Sequence, residues 1–329
     1  MEYLGRNYTF GVVLPQGWRW LDDNGDTASQ QYQFSKSIAE LSDGLGYSSV
    51  YAYDHMRGGS FSIENHDKNF FECLVLLTSI IPNTKRLRIG QTVLSNSFRN
   101  PSLLAKMIST MDVISNGRVE LGIGAGWIED EYLAYGYDYL SAVDRIRQLE
   151  ESLCIIRKMW TEKKSTFQGK YYSIKDATCN PKPIQKPYPK IMVGGTGRHL
   201  LKVVAKHADR YNHPFSSPKD IELKLHMLKD HCMIVGRNYH DIERSVLIRC
   251  LLVDNYDDLN DVIKAWKKEG ENLGDFEKRI SAIVGTPEDI ITKINKYIDI
   301  GITHFIIHFI GLNENTIRLF DSKVIKKIG

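Results

Sequence analysis

What is scarce in this chain narrows it before any motif is found. Its five cysteines, Cys73, Cys154, Cys179, Cys232 and Cys250, are odd in number, widely spaced and never arranged Cys-x-x-Cys. Neither a disulfide framework nor a thiolate metal site is expected, and the thiols read as reduced. No apolar run approaches membrane-spanning length, and Met-Glu-Tyr-Leu-Gly-Arg-Asn lacks the basic-then-apolar order of a secretory leader. A cytoplasmic protein with no membrane contact is therefore expected. An excess of one charge is missing too: 43 Lys and Arg against 40 Asp and Glu leave +3, which offers nucleic acid no general binding surface. Repeats and low-complexity tracts are absent. What remains, 329 residues with a 42% hydrophobic fraction, describes an ordinary globular protein with a large core.

Short β-branched or aromatic runs alternate with helical patterns from end to end. Strands are predicted over 9–13, 49–53, 87–93, 119–123, 191–193, 209–212, 246–253 and 305–308. Helices are predicted over 32–45, 70–81, 101–115, 144–160, 198–207, 218–235, 287–299 and 314–326. Pro101 and Pro287 suit a first helical turn, each after a residue able to cap, Asn100 and Thr286. Strand–helix alternation implies a parallel sheet, and eight rounds imply a closed (β/α)8 TIM barrel formed as one domain over residues 1–329. A doubly wound open sheet would carry a glycine-rich turn after the first strand, where Leu14-Pro15-Gln16-Gly17-Trp18 stands instead. Two insertions exceed a minimal barrel. One follows the fourth helix, over 161–189, with a hairpin near 167–172 and then Pro181, Pro183, Pro187 and Pro189. The other follows the seventh strand, over 254–284, with an extra helix at 259–269.

The most informative stretch is Gly117-Arg118-Val119-Glu120-Leu121-Gly122-Ile123-Gly124-Ala125-Gly126-Trp127. Its period-2 alternation puts Gly122, Gly124 and Gly126 on one strand face without side chains, a place for close approach by a ligand or another backbone. The spacing fails as a dinucleotide fingerprint, because Trp127 or Glu129 occupies the third glycine position. Ile191-Met192-Val193 runs into Gly194-Gly195-Thr196-Gly197-Arg198, a strand, glycine turn and helix start suited to a phosphate. Barrel chemistry sits at strand C-terminal ends. Asp54-His55, Thr92-Val93-Leu94-Ser95, Arg99, Glu129 with Asp130 and Glu131, Asn212-His213 and His308 all fall there. Asp54 and His55 set a carboxylate beside an imidazole able to carry a proton near neutral pH. His304 and His308 would stand ~13 Å apart on a strand, too far for one metal, so no metal site is predicted.

The ordered set Asp54-His55-Met56, Phe98-Arg99-Asn100-Pro101, Ala105-Lys106-Met107, Asp112 to Arg118 and Leu121 to Trp127 resembles the bacterial luciferase-like oxidoreductases. Asn180 to Pro187, Gly194 to Arg198 and Ala205 to Asp209 continue the likeness, which spans residues 10–309. The Gly124-Ala125-Gly126-Trp127 and Asn180-Pro181-Lys182-Pro183 variants are most similar to the branch that uses the deazaflavin coenzyme F420. The resemblance implies a barrel with the coenzyme across its strand ends. Thr92, Val93, Ser95, Gly124, Gly126 and Trp127 would lie at the ring, and Gly194, Gly195, Thr196, Gly197 and Arg198 at the phosphate. It also implies a cis peptide at Thr92-Val93. Some deazaflavin relatives carry a catalytic glutamate where this chain has Trp127, leaving Asp54, His55 or Glu129 for that role. Hydride transfer between F420 and a small organic substrate follows as the expected activity. The alternatives are an FMN-dependent monooxygenase fed by a separate flavin reductase, or a non-catalytic flavin-binding protein. A homodimer, and a flavin or F420 reductase as partner, are expected with it.

Overall fold

A computed structural model of the chain describes residues 8–17, 25–57, 68–259 and 271–328. Its strands are β1 (Thr9–Val13), β2 (Ser49–Ala52), β3 (Arg88–Gln91), β4 (Leu94–Ser95), β5 (Leu121–Gly124), β6 (Ser165–Gln168), β7 (Ser173–Ala177), β8 (Ile191–Gly194), β9 (Arg210–Pro214), β10 (Glu243–Leu252), β11 (Ala282–Gly285) and β12 (His304–Phe309). The main sheet runs β3-β2-β1-β12-β10-β9-β8-β5-β4, every pairing parallel. It closes on itself where Ile89 N–H donates to the Arg118 carbonyl and Glu120 N–H to that of Ile89, both at 2.9 Å. The (β/α)8 barrel read from the alternation is the fold.

The strands β2, β5 and β8 are buried throughout, as parallel strands flanked by helices must be. Helices return the chain between them. Ala28–Gly44 starts on a Thr27 capping box, Pro101–Ile114 on the Asn100 side chain and Pro287–Asp299 on a Thr286–Asp289 capping box. No helix among the described residues is long and apolar enough to cross a membrane.

Several differences from the expected layout have physical causes. The third predicted strand is broken into β3 and β4 at the Thr92-Val93 peptide, which is cis, as the resemblance implied. The 167–172 segment is the turn end of the β6–β7 hairpin, whose arms extend further on both sides. β11 was not foreseen; it pairs with the upper end of β10, outside the barrel, through Arg249 to Leu252. The helix expected over 259–269 lies, beyond Leu259, outside the described residues.

The lower interior of the barrel is ionic. Glu120, 1% exposed, accepts hydrogen bonds from Arg210 Nη1 at 2.6 Å, from Tyr51 Oη at 3.2 Å and from Arg88 Nε. Arg210 also binds Glu243, and Tyr51 Oη lies 2.9 Å from His304 Nε2. Glu120, read in the sequence as one polar step of an alternating strand, thus points to the barrel axis with the glycines.

Candidate active site

A cavity of about 580 Å3 opens at the C-terminal ends of the strands. Thr92, Val93, Ser95, Gly124, Gly126 and Trp127 line one side of it, and Gly194, Gly195, Thr196 and Gly197 another. The glycine face of β5 does not stay bare. A Cβ on Gly122 would lie 1.8 Å from the Gln91 carbonyl oxygen, and one on Gly124 or Gly194 would lie 2.8 Å from a methyl of Val93. These glycines let a neighbouring backbone and Val93 crowd in, so Val93 rather than naked strand forms the cavity wall. Gly126 is not on that face. It lies past the end of β5 at φ +74°, against Tyr132 Oη and Ser95 Oγ.

Asp54 and His55 both line the cavity but do not pair with each other. The Asp54 carboxylate accepts both Nη groups of Arg99 at 2.8 Å and the Ser95 backbone N–H at 2.8 Å. Arg99 is bonded to Glu72 as well. A carboxylate so occupied ties β4 to Arg99 with both of its oxygens engaged. His55 Nδ1 instead meets Glu131 Oε2 at 3.1 Å. Glu131 is 2% exposed and also accepts the Met56 N–H at 2.7 Å. Burial pushes the Glu131 carboxyl up, but His55 and the backbone N–H groups of Met56 and Arg57 outweigh it and hold the group below the usual carboxylate range.

Glu129, the predicted acid, is exposed in the first turn of the helix Glu129–Ala134 and does not line the cavity. The helix was missed, yet its face is readable: Ile128 and Tyr132, four apart, mark the inward side, and Glu131 shares it while Glu129 does not.

At the second wall, Gly195 takes φ +139°, donating to the Asn212 carbonyl at 3.1 Å and accepting from Tyr211 Oη at 3.0 Å. The helix Arg198–His207 follows, with Gly197 at its N-cap and no side-chain cap. Its first N–H groups are thus left for an anion. Arg198, in the first turn of that helix, is exposed and outside the cavity lining. Arg249 lines the deep end, its guanidinium 4.0 Å over the Phe215 ring and donating to the Ile280 carbonyl. Beside it, Tyr53 Oη lies 2.6 Å from His308 Nδ1. Burial and the charge of Arg249 push His308 down to about 3, so it is neutral at physiological pH. Neither Arg249 nor Tyr53 was singled out in the sequence. His213 is buried away from the cavity, edge-on to Tyr211. Among the described residues no three His, Cys, Asp or Glu side chains come together as a metal site requires.

A closed parallel barrel with a concave site at its strand ends, a helix N-terminus on one wall and a buried imidazole–carboxylate pair on another belongs to the barrel enzymes. The chain belongs to the luciferase-like monooxygenase family, whose profile matches residues 10–304, and is thereby an oxidoreductase. It is 27% identical over 314 residues to an F420-dependent glucose-6-phosphate dehydrogenase of Microbacterium testaceum, covering 88% of this chain and 91% of that one. It is 23% identical over 315 residues to an FMNH2-dependent dimethylsulfone monooxygenase of Pseudomonas putida, covering 87% and 85%. Among solved structures, an F420-dependent secondary alcohol dehydrogenase shares the fold at a TM-score of 0.78 and 18% identity, over 97% of this chain and 98% of that one.

Proposed function

We propose that the protein transfers a hydride between coenzyme F420 and a small organic substrate, His55 carrying the proton that must accompany it. The observation that carries this reading is the His55–Glu131 pair on the cavity wall. Oxidising an alcohol, or reducing a carbonyl, moves one proton at oxygen for every hydride at carbon, and a neutral imidazole held in place is suited to that exchange. The relatives named for F420 support the deazaflavin over flavin.

The residues present fit such a coenzyme. The cavity is of ligand size and largely apolar, and the uncapped N-terminus at Gly197 offers backbone donors to a phosphate. Thr92, Val93, Ser95, Gly124, Gly126 and Trp127 would hold the ring, and Gly194, Gly195, Thr196 and Gly197 the phosphate. Arg99 is committed to Asp54, and Lys106 bonds the Asn180 carbonyl, which leaves Arg198 and Lys202 on the helix for an anionic tail. Coenzyme F420, when bound, supplies two-electron hydride chemistry at a carbon where flavin has nitrogen. His55 accepts the substrate hydroxyl proton and returns it in the reverse direction. Asp54 and Arg99 brace the β4 segment as part of the scaffold.

Calorimetric titration of F420 and of FMN should give the lower Kd for F420; tighter FMN binding would move the assignment to the flavin-dependent monooxygenases. Gly195→Asp should weaken F420 at least tenfold, and more than Gly195→Ala, which shares the backbone strain of a side chain at φ +139° but adds no charge. It sets a carboxylate where the phosphate is to lie, and one lost charge-assisted contact is worth ~1.5–3 kcal/mol. An unaltered Kd in that variant would place the phosphate elsewhere.

A further inference from the structure

We infer that Glu131 is the positioning residue that fixes the tautomer and orientation of His55. The inference rests on the reading of His55 as proton carrier, and deepens it.

The geometry is specific. A carboxylate can only accept, so the contact at 3.1 Å puts the hydrogen of a neutral His55 on Nδ1. Nε2 then keeps its lone pair and is the atom able to take a proton. Glu131 is itself immobilised. Its second oxygen accepts the Met56 N–H at 2.7 Å, and the Arg57 N–H adds to the set. The same short helix reaches back a second time, through Tyr135 Oη donating to the Met56 carbonyl at 2.9 Å. The loop after β2, which carries His55, is therefore held by the segment after β5 at both the side chain and the backbone. Ring packing completes the seat: Tyr53 lies 6.1 Å from the imidazole and Phe70 6.1 Å away, edge-on.

Asp54 is engaged by Arg99 and Ser95, and Tyr53 directs its hydroxyl to His308. Arg57 lies on the same loop and contributes its backbone N–H to Glu131. Protonation of His55 thus converts one hydrogen bond into an ion pair with Glu131, in a site only 12% exposed at the imidazole and 3% at the carboxylate. Glu131 stays ionised while this happens, since its hydrogen bonds hold it so, and the proton remains on the imidazole rather than passing on.

Glu131→Gln keeps the size and an acceptor for Met56 but removes the charge, and allows the amide to present either a donor or an acceptor to Nδ1. The test is made first on the protein without coenzyme, by nitrogen-15 NMR of the histidine rings. Wild type should show His55 as the Nδ1–H form, and Glu131→Gln should lose that preference. Unchanged ring shifts would overturn the inference. The second measurement is turnover with F420. In the oxidising direction it should fall ~10²-fold in Glu131→Gln. Glu131→Asp, which restores the charge, should recover part of the Nδ1–H preference and of the turnover. A merely structural carboxylate would lower the melting temperature and leave the ring tautomer where it was, which again overturns the inference. If the NMR coupling is found but His55→Ala keeps full turnover, the coupling is upheld and it is the proton-carrier reading that falls.

Discussion

His55→Ala is expected to lower turnover by ~10²–10⁴-fold while coenzyme affinity and melting temperature change little. The ring lines the cavity, is held on one side by Glu131, and is the one imidazole so placed among the described residues. His304, buried, and His308, partly buried, are by contrast both pushed down to about 3, too weakly basic to take a proton at neutral pH. The companion variant Asp54→Asn should behave in the opposite way. It loosens a doubly bonded Arg99 and a backbone anchor, so stability should fall by about 1.5–3 kcal/mol with turnover per folded molecule largely kept. Coenzyme affinity, thermal stability and single-turnover reduction of F420, read on both variants with a panel of alcohol donors, separate the two roles. Retained turnover in His55→Ala would refute the proton assignment.

The largest loss of stability is expected from Glu120→Gln, about 3–5 kcal/mol by urea denaturation. The substitution leaves Arg210, 4% exposed, without one of its two carboxylates and Arg88 without its carboxylate, with only the Gln185 side chain beside it. The size of the effect reflects an orphaned charge more than the strength of the pair. Glu120→Leu combined with Arg210→Met should accordingly cost less than Glu120→Gln alone, and a loss below about 1 kcal/mol for the single variant would refute the account.

The same cluster sets the acid limit. Burial raises the Glu243 carboxyl, but Arg210 and Lys190 overcome it and hold the group at about 2; Glu120 is held well below its usual range by Arg210 and Arg88. Both lowered carboxyls contribute stability that is present above the unfolded value and is lost as pH falls through the folded one. His304 adds to this from higher pH. Burial and Arg210 lower it from 6.5 to about 3, so over that interval the unfolded chain binds a proton the folded one refuses. Melting temperature should therefore begin to decline below about pH 6.5 and steepen below about pH 4.5.

Most of the barrel was legible because its signals are local. The helices at 198–207, 218–235 and 287–299 coincide residue for residue with the structure, since Pro218 and Pro287 mark helix starts, and β1 does likewise. What failed was everything that depends on direction. Asp54 and His55 are adjacent on extended chain just past a strand, so their side chains leave on opposite sides and cannot pair. Reading them as a couple ignored the period that had identified the strand. Among the acids at 129–131, Glu129 was offered in place of the glutamate that relatives carry at Trp127, whereas the helix turns Glu131 inward and leaves Glu129 exposed. Gly122 and Gly124 were rightly read as marking close approach, but what approaches is Gln91 and Val93, a partner that only closure of the barrel brings there. β11 left no trace, as a four-residue run whose meaning lies entirely in its pairing with β10.

That pairing makes the second insertion exchangeable. β11 docks through four residue pairs on the upper end of β10, and Leu251, Val253, Leu259, Phe276, Ile280, Val284 and Ile310 form a small core of their own beneath it, distinct from the barrel's. The unit nevertheless reaches the cavity, through Ser281 on its wall and the Ile280 carbonyl on Arg249. A different segment ending in a short strand able to pair with Arg249 to Leu252 would meet the same socket, leaving His55, Glu131 and the glycine turn at Gly194 untouched. Divergence in substrate can then proceed by trading one cassette at the rim, with the reacting centre inherited intact.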